Sequence, residues 1–530
     1  MNPIYSSFLR NVNNNPEKSA FRFIKNGEST EYTWNQLALR IEQILPHLIN
    51  LQKKQIVGIL SSSQELQVIW YLAILARGAH PVILAPQTAK IDPEYYNKQI
   101  RAVIKRDQFS YVVTDNRECL LNDTVDIIYT YDRDFNLDEK TKDSKNSSVI
   151  DNTWLQYSSG TTAIRKGIVC SYESFYKMNH EYTSAIAIDG NSIICSWLPL
   201  YHDMGFITSF LMNIANCTFS CLIDPIDWIN RPSILVQHAS SVKATHIWMP
   251  NFAFQVMARI ASRLEGLLDL SHVKYWTNCS EPITVTAMTE FLHAYRPHGI
   301  AVTNLAGCYG MAECVFAVTH KTYDEQSLIT GAIDGRLSSG SPLGGTKVEI
   351  FKDANSDDFG MIRIHSPWMM EGYLNQTDAN TFTKEWIQTN DIGMIVNKEL
   401  YVIGRTNEWI NVAGVKYDCR SIEDKLNSEC DIYPGRVILT SIHHKNIGTN
   451  TPIVLCESKA GTNVNVLVQS IRNTLWSNYG LSVSKIIVKS KGFIVKTTSG
   501  KISRDETIRK LMIDLDVSGE ITNREAAPIK

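Results

Sequence analysis

The sequence predicts an α/β architecture, with a large N-terminal domain of parallel and mixed sheets with flanking helices and a small α+β C-terminal domain. Three observations predict it. A chain of 530 residues is too long for one core, so two or more domains are expected. Short apolar runs alternate with helical runs in the first half, the order that builds βα units and parallel sheets. Past Gly404-Arg405-Thr406-Asn407-Glu408 the apolar segments shorten and charges become dense, which marks a boundary. The divisions read this way are residues 1–404, a connection at 405–408, a second domain at 409–518 and a polar tail at 519–530. A domain of roughly 110–120 residues is of ordinary size.

The elements follow in order. Gln55-Ile56-Val57-Gly58-Ile59-Leu60 reads as a strand, and Glu65 to Arg77 as a helix. Pro81-Val82-Ile83-Leu84 and Tyr111-Val112-Val113-Thr114 read as the next strands. The stretch from Asp134 to Ser148 is polar, and its charged part, Lys140 to Ser148, is expected to be a mobile linker. Near the end, Ile494-Val495 precedes a loop and then a helical tail, with Gly519 to Lys530 expected to fray. No internal repeat is visible.

Composition removes several classes. With 44% hydrophobic and 20% charged residues the chain reads as soluble and globular. A net charge of −2 gives no case for nucleic acid or an anionic membrane as a partner. No apolar run is long enough to span a bilayer. Met1-Asn2-Pro3-Ile4-Tyr5 lacks the basic and apolar regions of a secretory leader. The 11 cysteines are scattered without a C-x-x-C pair, and Cys217 and Cys221 are expected in the core rather than on zinc. Reduced thiols and a cytoplasmic location are the economical reading.

The most informative stretch is Tyr157-Ser158-Ser159-Gly160-Thr161-Thr162-Ala163-Ile164-Arg165-Lys166-Gly167. Small and hydroxylated residues stand between the apolar runs Trp154-Leu155 and Ile168-Val169. Gly160 lets the backbone approach an anion, Thr161 and Thr162 offer hydroxyls, and Lys166 adds charge. It is not a Walker A loop, because Gly160 and Gly167 are too far apart and Ile168 follows the second glycine. No G-x-G-x-x-G fingerprint of a dinucleotide fold is present. A plain polar surface loop is the competing reading of this stretch taken alone.

This loop resembles the phosphate-binding signature of the adenylate-forming superfamily, which includes acyl-CoA synthetases, luciferases and adenylation domains. Further motifs stand in family order: Ser196-Trp197-Leu198-Pro199-Leu200-Tyr201-His202-Asp203-Met204-Gly205, Met249-Pro250-Asn251-Phe252-Ala253-Phe254 and Asn278-Cys279-Ser280-Glu281-Pro282-Ile283. Cys308-Tyr309-Gly310-Met311-Ala312-Glu313, Thr389-Asn390-Asp391-Ile392-Gly393, Gly404-Arg405 and Thr498-Ser499-Gly500-Lys501-Ile502 complete the set. The version of the second motif is similar to that of fatty acyl-AMP ligases. The resemblance covers residues from about 20 to 510.

The resemblance implies ATP and Mg²⁺ as cofactors and a small domain that rotates about a hinge at Glu408. It implies that Ser158, Ser159, Gly160, Thr161, Thr162 and Lys166 hold the phosphates, and that Glu313 binds Mg²⁺. Tyr309 would lie against adenine, with the Ser280-Glu281-Pro282 backbone on the other side, and Gly310 belongs to the same nucleotide-binding set. Asp391 would accept the ribose hydroxyls and Arg405 would contact ribose or phosphate. Lys501 would neutralise the carboxylate and the bridging phosphate oxygen. With Thr162, Glu313 and His202 it forms the implied catalytic set. His202, Trp248, Phe252 and Phe254 would line or back an acyl pocket. Lys485, Lys489, Lys491 and Lys496 read as a solvated basic face that could also meet an acidic carrier protein.

Several positions depart from the family pattern. Ala163-Ile164-Arg165 replaces Gly-x-Pro, which alters loop stiffness. Asn390 stands in place of Gly, Asn407 and Asn411 in place of lysines, and Cys419 in place of Pro. Fatty acyl-AMP ligases usually carry an extra segment before a turn such as Gly340-Ser341-Pro342-Leu343, and Cys314 to Ser339 is too short to contain it. The expected activity is formation of an acyl-adenylate from a fatty or other non-amino acid. Transfer to the phosphopantetheine thiol of an acyl or peptidyl carrier protein would follow. The alternatives are transfer to CoA, amino-acid activation, and a degenerate non-catalytic binding module.

Overall fold

A computed structural model describes residues 2–87, 93–116, 121, 124–130, 152–157, 166–352, 359–375, 385–412, 415–444, 449–496 and 502–517. The expected linker at Lys140 to Ser148 and the tail at Gly519 to Lys530 lie outside them. The chain divides into two compact units whose main boundary lies between Ile403 and Gly404, and the described part of Gln87–Tyr96 groups with the second.

The first unit is built on two large sheets. Four strands form an all-parallel sheet in the order His80–Ile83, Ile56–Leu60, Tyr111–Thr114, Asp126–Tyr129. The helix Gln64–Ala76 connects its first two strands in sequence. Every residue of Ile56–Leu60 and of His80–Ile83 is buried. Strands buried on both faces read as unbroken apolar runs, which is why the sequence pattern locates them. A nine-stranded sheet runs Ser341–Pro342, Ala317–Thr322, Leu305–Gly310, Tyr275–Asn278, His246–Met249, Ile193–Ser196, Phe219–Ile223, Ser19–Lys25, Glu28–Thr33. Its centre is parallel and its edges are antiparallel. The sheets are therefore parallel and mixed, as the sequence predicts. One apolar core joins them to the flanking helices, with Trp34, Trp154, Trp248 and Trp276 among its largest members.

Two smaller sheets carry segments that matter below. One is antiparallel: Gly372–Tyr373, Gly167–Ser171, Thr153–Tyr157. The other runs Lys347–Phe351, Gly360–His365, Ile387–Val396, Glu399–Arg405.

The second unit is α+β. The strands Ile432–His444, Thr449–Ser458 and Lys485–Lys489 form its main sheet, beside the hairpin Trp409–Val412 and Val415–Asp418. The helices Cys419–Glu429, Val464–Tyr479 and Arg504–Val517 complete it. Arg504 makes a two-pronged ion pair with Glu423, its two terminal nitrogens each 2.6 Å from a carboxylate oxygen. The Leu439 amide donates to the same carboxylate at 2.6 Å. A buried pair with its remaining sites hydrogen-bonded fixes geometry strongly. It pins the start of the last helix, three residues after Lys501. On the face noted for its lysines, Lys489 pairs with Asp514 and lies 5.1 Å from the Phe493 ring centre. Lys491 lies 5.4 Å from that of Tyr433.

Candidate active site

The expected phosphate loop lies in sequence between two strands that pair with each other. Thr153–Tyr157 and Gly167–Ser171 pair antiparallel, with Tyr157 opposite Gly167. Ser158, Ser159, Gly160, Thr161, Thr162 and the departing Ala163-Ile164-Arg165 lie outside the described residues, which resume at Lys166. Both stems of the loop are tied down. Tyr157 donates its hydroxyl to Asp107 Oδ2 at 2.5 Å, and Arg106 holds both oxygens of the same carboxylate at 2.8 and 2.5 Å. Burial, and next the charge of Asp107, push the Tyr157 phenol well above its usual range. On the exit side, Lys166 Nζ lies 4.8 Å from the centre of the Tyr373 ring. The Tyr373 hydroxyl donates to Glu313 Oε1 at 3.0 Å. Lys166 and Glu313, far apart in sequence, thus meet on one aromatic side chain.

Glu313 sits in a tight connection between the strands Leu305–Gly310 and Ala317–Thr322. Val315 has φ 62° and ψ −55°, and the Phe316 amide donates to the Cys314 carbonyl at 2.6 Å. This is a γ-turn of the rare strained kind, built on a β-branched residue. A side-chain carbon on Gly310 would stand 2.5 Å from the Phe316 carbonyl oxygen, so only glycine permits the crossing. Strain concentrated beside a half-buried carboxylate is a mark of a functional site.

Four residues earlier, the Tyr309 hydroxyl donates to Asp391 Oδ2 at 2.6 Å. Asp391 is buried, and its amide donates to Thr389 Oγ1 at 3.1 Å, while the neighbouring Asn390 is exposed. The Tyr309 amide donates to Thr319 Oγ1 at 3.2 Å, fixing the other end of the pair.

The strands His246–Met249 and Tyr275–Asn278 are parallel neighbours, and the loops at their C-terminal ends are laced together. Such ends are where open α/β sheets bind ligands. Asn251 Oδ1 accepts from Asn278 Nδ2 and from the Thr284 amide, both at 3.0 Å. Ser280 has φ +74°. Glu281 Oε2 accepts the Phe252 amide at 2.9 Å, placing its carboxylate at the N-terminus of the helix Asn251–Ile260, where negative charge is favoured. His202 Nδ1 lies 2.6 Å from Asp203 Oδ1, an ion contact when the imidazole is protonated, without an aligned hydrogen bond.

The model of the AMP-binding enzyme family matches residues 8–374. The chain belongs to that family. It is similar to a medium-chain-fatty-acid–[acyl-carrier-protein] ligase, JamA, of Moorena producens (strain JHB), at 25% identity over 395 residues. That match covers 66% of each chain, so about a third of that relative lies outside it. It is also similar to a putative fatty-acid–CoA ligase, fadD25, of Mycobacterium tuberculosis (strain ATCC 25618 / H37Rv), at 26% identity over 67% of this chain and 69% of the relative. A solved structure from work on fatty acyl-adenylate ligases of E. coli and L. pneumophila has a TM-score of 0.80 at 19% identity, covering 98% of this chain and 99% of that one. At that identity the likeness shows the fold, an adenylate-forming fold.

This AMP-binding enzyme has a donor set that suits Mg²⁺. Among the described residues no group of three or more His, Cys, Asp or Glu could hold a metal by itself. A hard divalent cation bound through one carboxylate, with phosphates and water completing its shell, needs no such group, and Glu313 fits that role. Of the expected pocket residues, Phe252 is half-buried and packs edge-on against Trp197 and Trp228, each 6.2 Å away. Those two indoles stack at 3.7 Å and 4°. Trp248 and Phe254 lie deeper in the core. Trp248 donates to the Tyr182 hydroxyl at 2.8 Å, and Phe254 packs on Phe291. Arg405 is exposed in the second unit, and its amide donates to Glu408 Oε2 at 3.1 Å. Lys501 and Gly414 lie outside the described residues. The sequence reading missed Tyr373, Asp107 and Trp228. A Gly-Tyr pair after Met369-Met370 gives no local sign that its hydroxyl reaches Glu313.

Proposed function

We propose that this AMP-binding enzyme joins a fatty or other non-amino carboxylic acid to the AMP part of ATP, with Mg²⁺, and passes the acyl group to the phosphopantetheine thiol of an acyl carrier protein, the thioester forming as the bond to AMP breaks and AMP leaves. The observation that carries the reading is the meeting of Lys166 and Glu313 on Tyr373, with Glu313 four residues of chain after Tyr309, which bonds Asp391. A carboxylate oxygen attacks the α-phosphorus, the bond to pyrophosphate breaks, and pyrophosphate leaves with its electrons. Catalysis of such a step is mostly positioning and charge stabilisation.

The residues divide the work. Ser158, Ser159, Gly160, Thr161, Thr162 and Lys166 hold the phosphates. Tyr309 lies on one side of adenine and the Ser280-Glu281-Pro282 backbone on the other, with Gly310 in the same nucleotide-binding set. Asp391, aligned by Tyr309, accepts the ribose hydroxyls, with Arg405 as a further contact. Glu313 would hold Mg²⁺, which would supply positive charge to offset that of the phosphates. Lys501 neutralises the two reacting anions. His202 stands at the acyl entrance, with Phe252 lining the pocket and Trp248 and Phe254 backing it. The hinge is placed at Glu408, between domains at 1–404 and 409–518. The described cysteines are free thiols, which suits the cytoplasm. No helix among the described residues is long and apolar enough to cross a membrane.

The relatives' names supply both acceptors, a carrier protein and CoA. The test of the first half-reaction is acid-dependent ATP–pyrophosphate exchange with a panel of fatty, aryl and amino acids and no thiol present. Fatty acids should support exchange better than amino acids of matched size, because none of the residues proposed for the pocket, His202, Trp248, Phe252 and Phe254, is an acid that could pair with an α-ammonium, and an unpaired buried cation costs several kcal/mol. A preference for an amino acid would overturn the substrate class and make Asp203 the first residue to replace. Exchange with none of the acids would favour a binding module.

A further inference from the structure

We infer that Tyr373 is a positioning residue that holds the metal-binding carboxylate of Glu313 and the phosphate-binding ammonium of Lys166 in one fixed arrangement. This rests on the assignment of Glu313 to Mg²⁺ and of Lys166 to phosphate proposed above.

The geometry is specific at three levels. A carboxylate can only accept, so the 3.0 Å contact is a phenol hydrogen bond into Glu313 Oε1 that orients the carboxylate. The ring of the same residue faces Lys166 Nζ at 4.8 Å, where its electron-rich face attracts the ammonium. The backbone around Tyr373 grips both partners' chains. The Met370 amide donates to the Glu313 carbonyl at 2.8 Å, and the Leu374 amide donates to the Gly167 carbonyl at 2.8 Å, next to Lys166. Tyr373 pairs with Ile168 and Gly372 with Val169. Asn375 Nδ2 then donates to Asp107 Oδ1 at 3.4 Å, on the carboxylate that receives the Tyr157 hydroxyl. One short segment, Met370 to Asn375, therefore touches the Glu313 turn and the exit stem of the phosphate loop, and reaches the entry stem through Asp107.

A group that hydrogen-bonds a metal-binding carboxylate tunes metal affinity without touching the metal, and losing it typically costs about 10- to 100-fold. Tyr373→Phe deletes only the hydroxyl and keeps the ring over Lys166. Tyr373→Leu deletes both. A merely structural tyrosine would shift melting temperature and leave metal affinity alone.

The experiment measures Mn²⁺ binding to the full-length protein with a non-hydrolysable ATP analogue, by loss of the free Mn²⁺ paramagnetic signal. Calorimetry with the analogue and EDTA gives metal-free nucleotide affinity, and the Mg²⁺ dependence of exchange is read in parallel. Tyr373→Phe should weaken Mn²⁺ binding about ten-fold or more, with metal-free nucleotide affinity within about two-fold of wild type. Tyr373→Leu should add a loss of metal-free nucleotide affinity of about five-fold, through Lys166. Wild-type Mn²⁺ binding by Tyr373→Phe would overturn the inference while leaving the site assignment standing. If the wild-type protein itself shows neither exchange nor metal-dependent analogue binding, the assignment fails first. Should a single variant melt early, the double variant with Glu313→Gln decides. Metal losses that fail to add support the inference, and additive losses overturn it.

Discussion

Tyr309 and Asp391 are joined by a 2.6 Å hydrogen bond from phenol to buried carboxylate, across two different sheets of the first unit. The bond aligns the acid proposed to accept the ribose hydroxyls. Tyr309→Phe keeps an aromatic face for adenine and removes only the donor. A hydrogen bond to a charged group contributes about 1.5–3 kcal/mol. Affinity for AMP should fall about ten-fold by calorimetry, with a small drop in melting temperature. AMP affinity equal to wild type would show that the pair is structural.

Lys501→Ala should nearly abolish adenylate formation and leave the fold intact. The Lys501 loop is bounded by the Arg504–Glu423 pair, which the substitution does not touch. Its charge would act mainly in the transition state, so exchange should fall about 100-fold or more. AMP binding should stay near wild type. Exchange within a few-fold of wild type would remove Lys501 from the catalytic set.

Much of the fold was legible because it rests on buried parallel strands. The run Tyr111 to Thr114 is a strand with those bounds, and the helix expected from Glu65 to Arg77 spans Gln64–Ala76. Uniform apolarity is a strong local signal for such strands. What was illegible depends on contacts between distant segments. The two apolar runs around the phosphate loop turned out to be partners in one hairpin, a pairing that neither run encodes. The Trp197–Trp228 stack joins a quoted motif to a helix without one. The γ-turn at Val315 is built on a residue type that sequence rules place last at positive φ. Tyr373 was missed for the same reason, since its partners come from two other segments.

Stability of the first unit should fall as pH drops from about 6.5 toward 4. Burial lowers the pKa of both His246 and His320 to about 4. His246 Nε2 donates to the Ile186 carbonyl at 2.8 Å, which leaves Nδ1 as an acceptor for Thr245. Neither nitrogen of His320 has a hydrogen-bond partner, and its ring packs edge-on against Tyr182 and Tyr275. Between pH 4 and 6.5 the unfolded chain binds more protons at both positions than the folded one, so stability rises with pH across that window and is fully present above it. Each histidine adds about 1.4 kcal/mol per pH unit there. Urea denaturation from pH 5 to 7.5 reads the slope. His320→Phe, which fits an aromatic site, should remove about half of the two-histidine contribution. An unchanged slope in that variant would show that His320 is charged in the folded state.

The last prediction concerns the thiol acceptor. On the proposed reading, transfer would require the 409–518 domain to turn about Glu408 and bring Gly414-Val415-Lys416 to the acyl-adenylate, a hinge motion of a common kind. The Arg405 amide, bonded to the Glu408 carboxylate, would be among the contacts that change. The stretch from Cys314 to Ser339 leaves no room for the segment that restrains this rotation in related ligases, so the swing should be possible. Asn407, Asn411 and Cys419 replace residues where the second half-reaction is organised, which should weaken a site for free CoA. A carrier protein brings docking contacts of its own and tolerates a weak nucleotide-end site. Transfer to a phosphopantetheinylated carrier protein should therefore be at least about ten-fold faster than to CoA, equivalent to about 1.4 kcal/mol of transition-state binding. The measurement supplies purified acyl-adenylate with each thiol in turn, so that activation does not limit the rate. Trimming Glu408 to Ala should change both transfers and leave exchange closer to wild type. If CoA is acylated as fast as any carrier protein tried, the enzyme is an acyl-CoA synthetase, and the weight given to the replaced hinge residues is wrong.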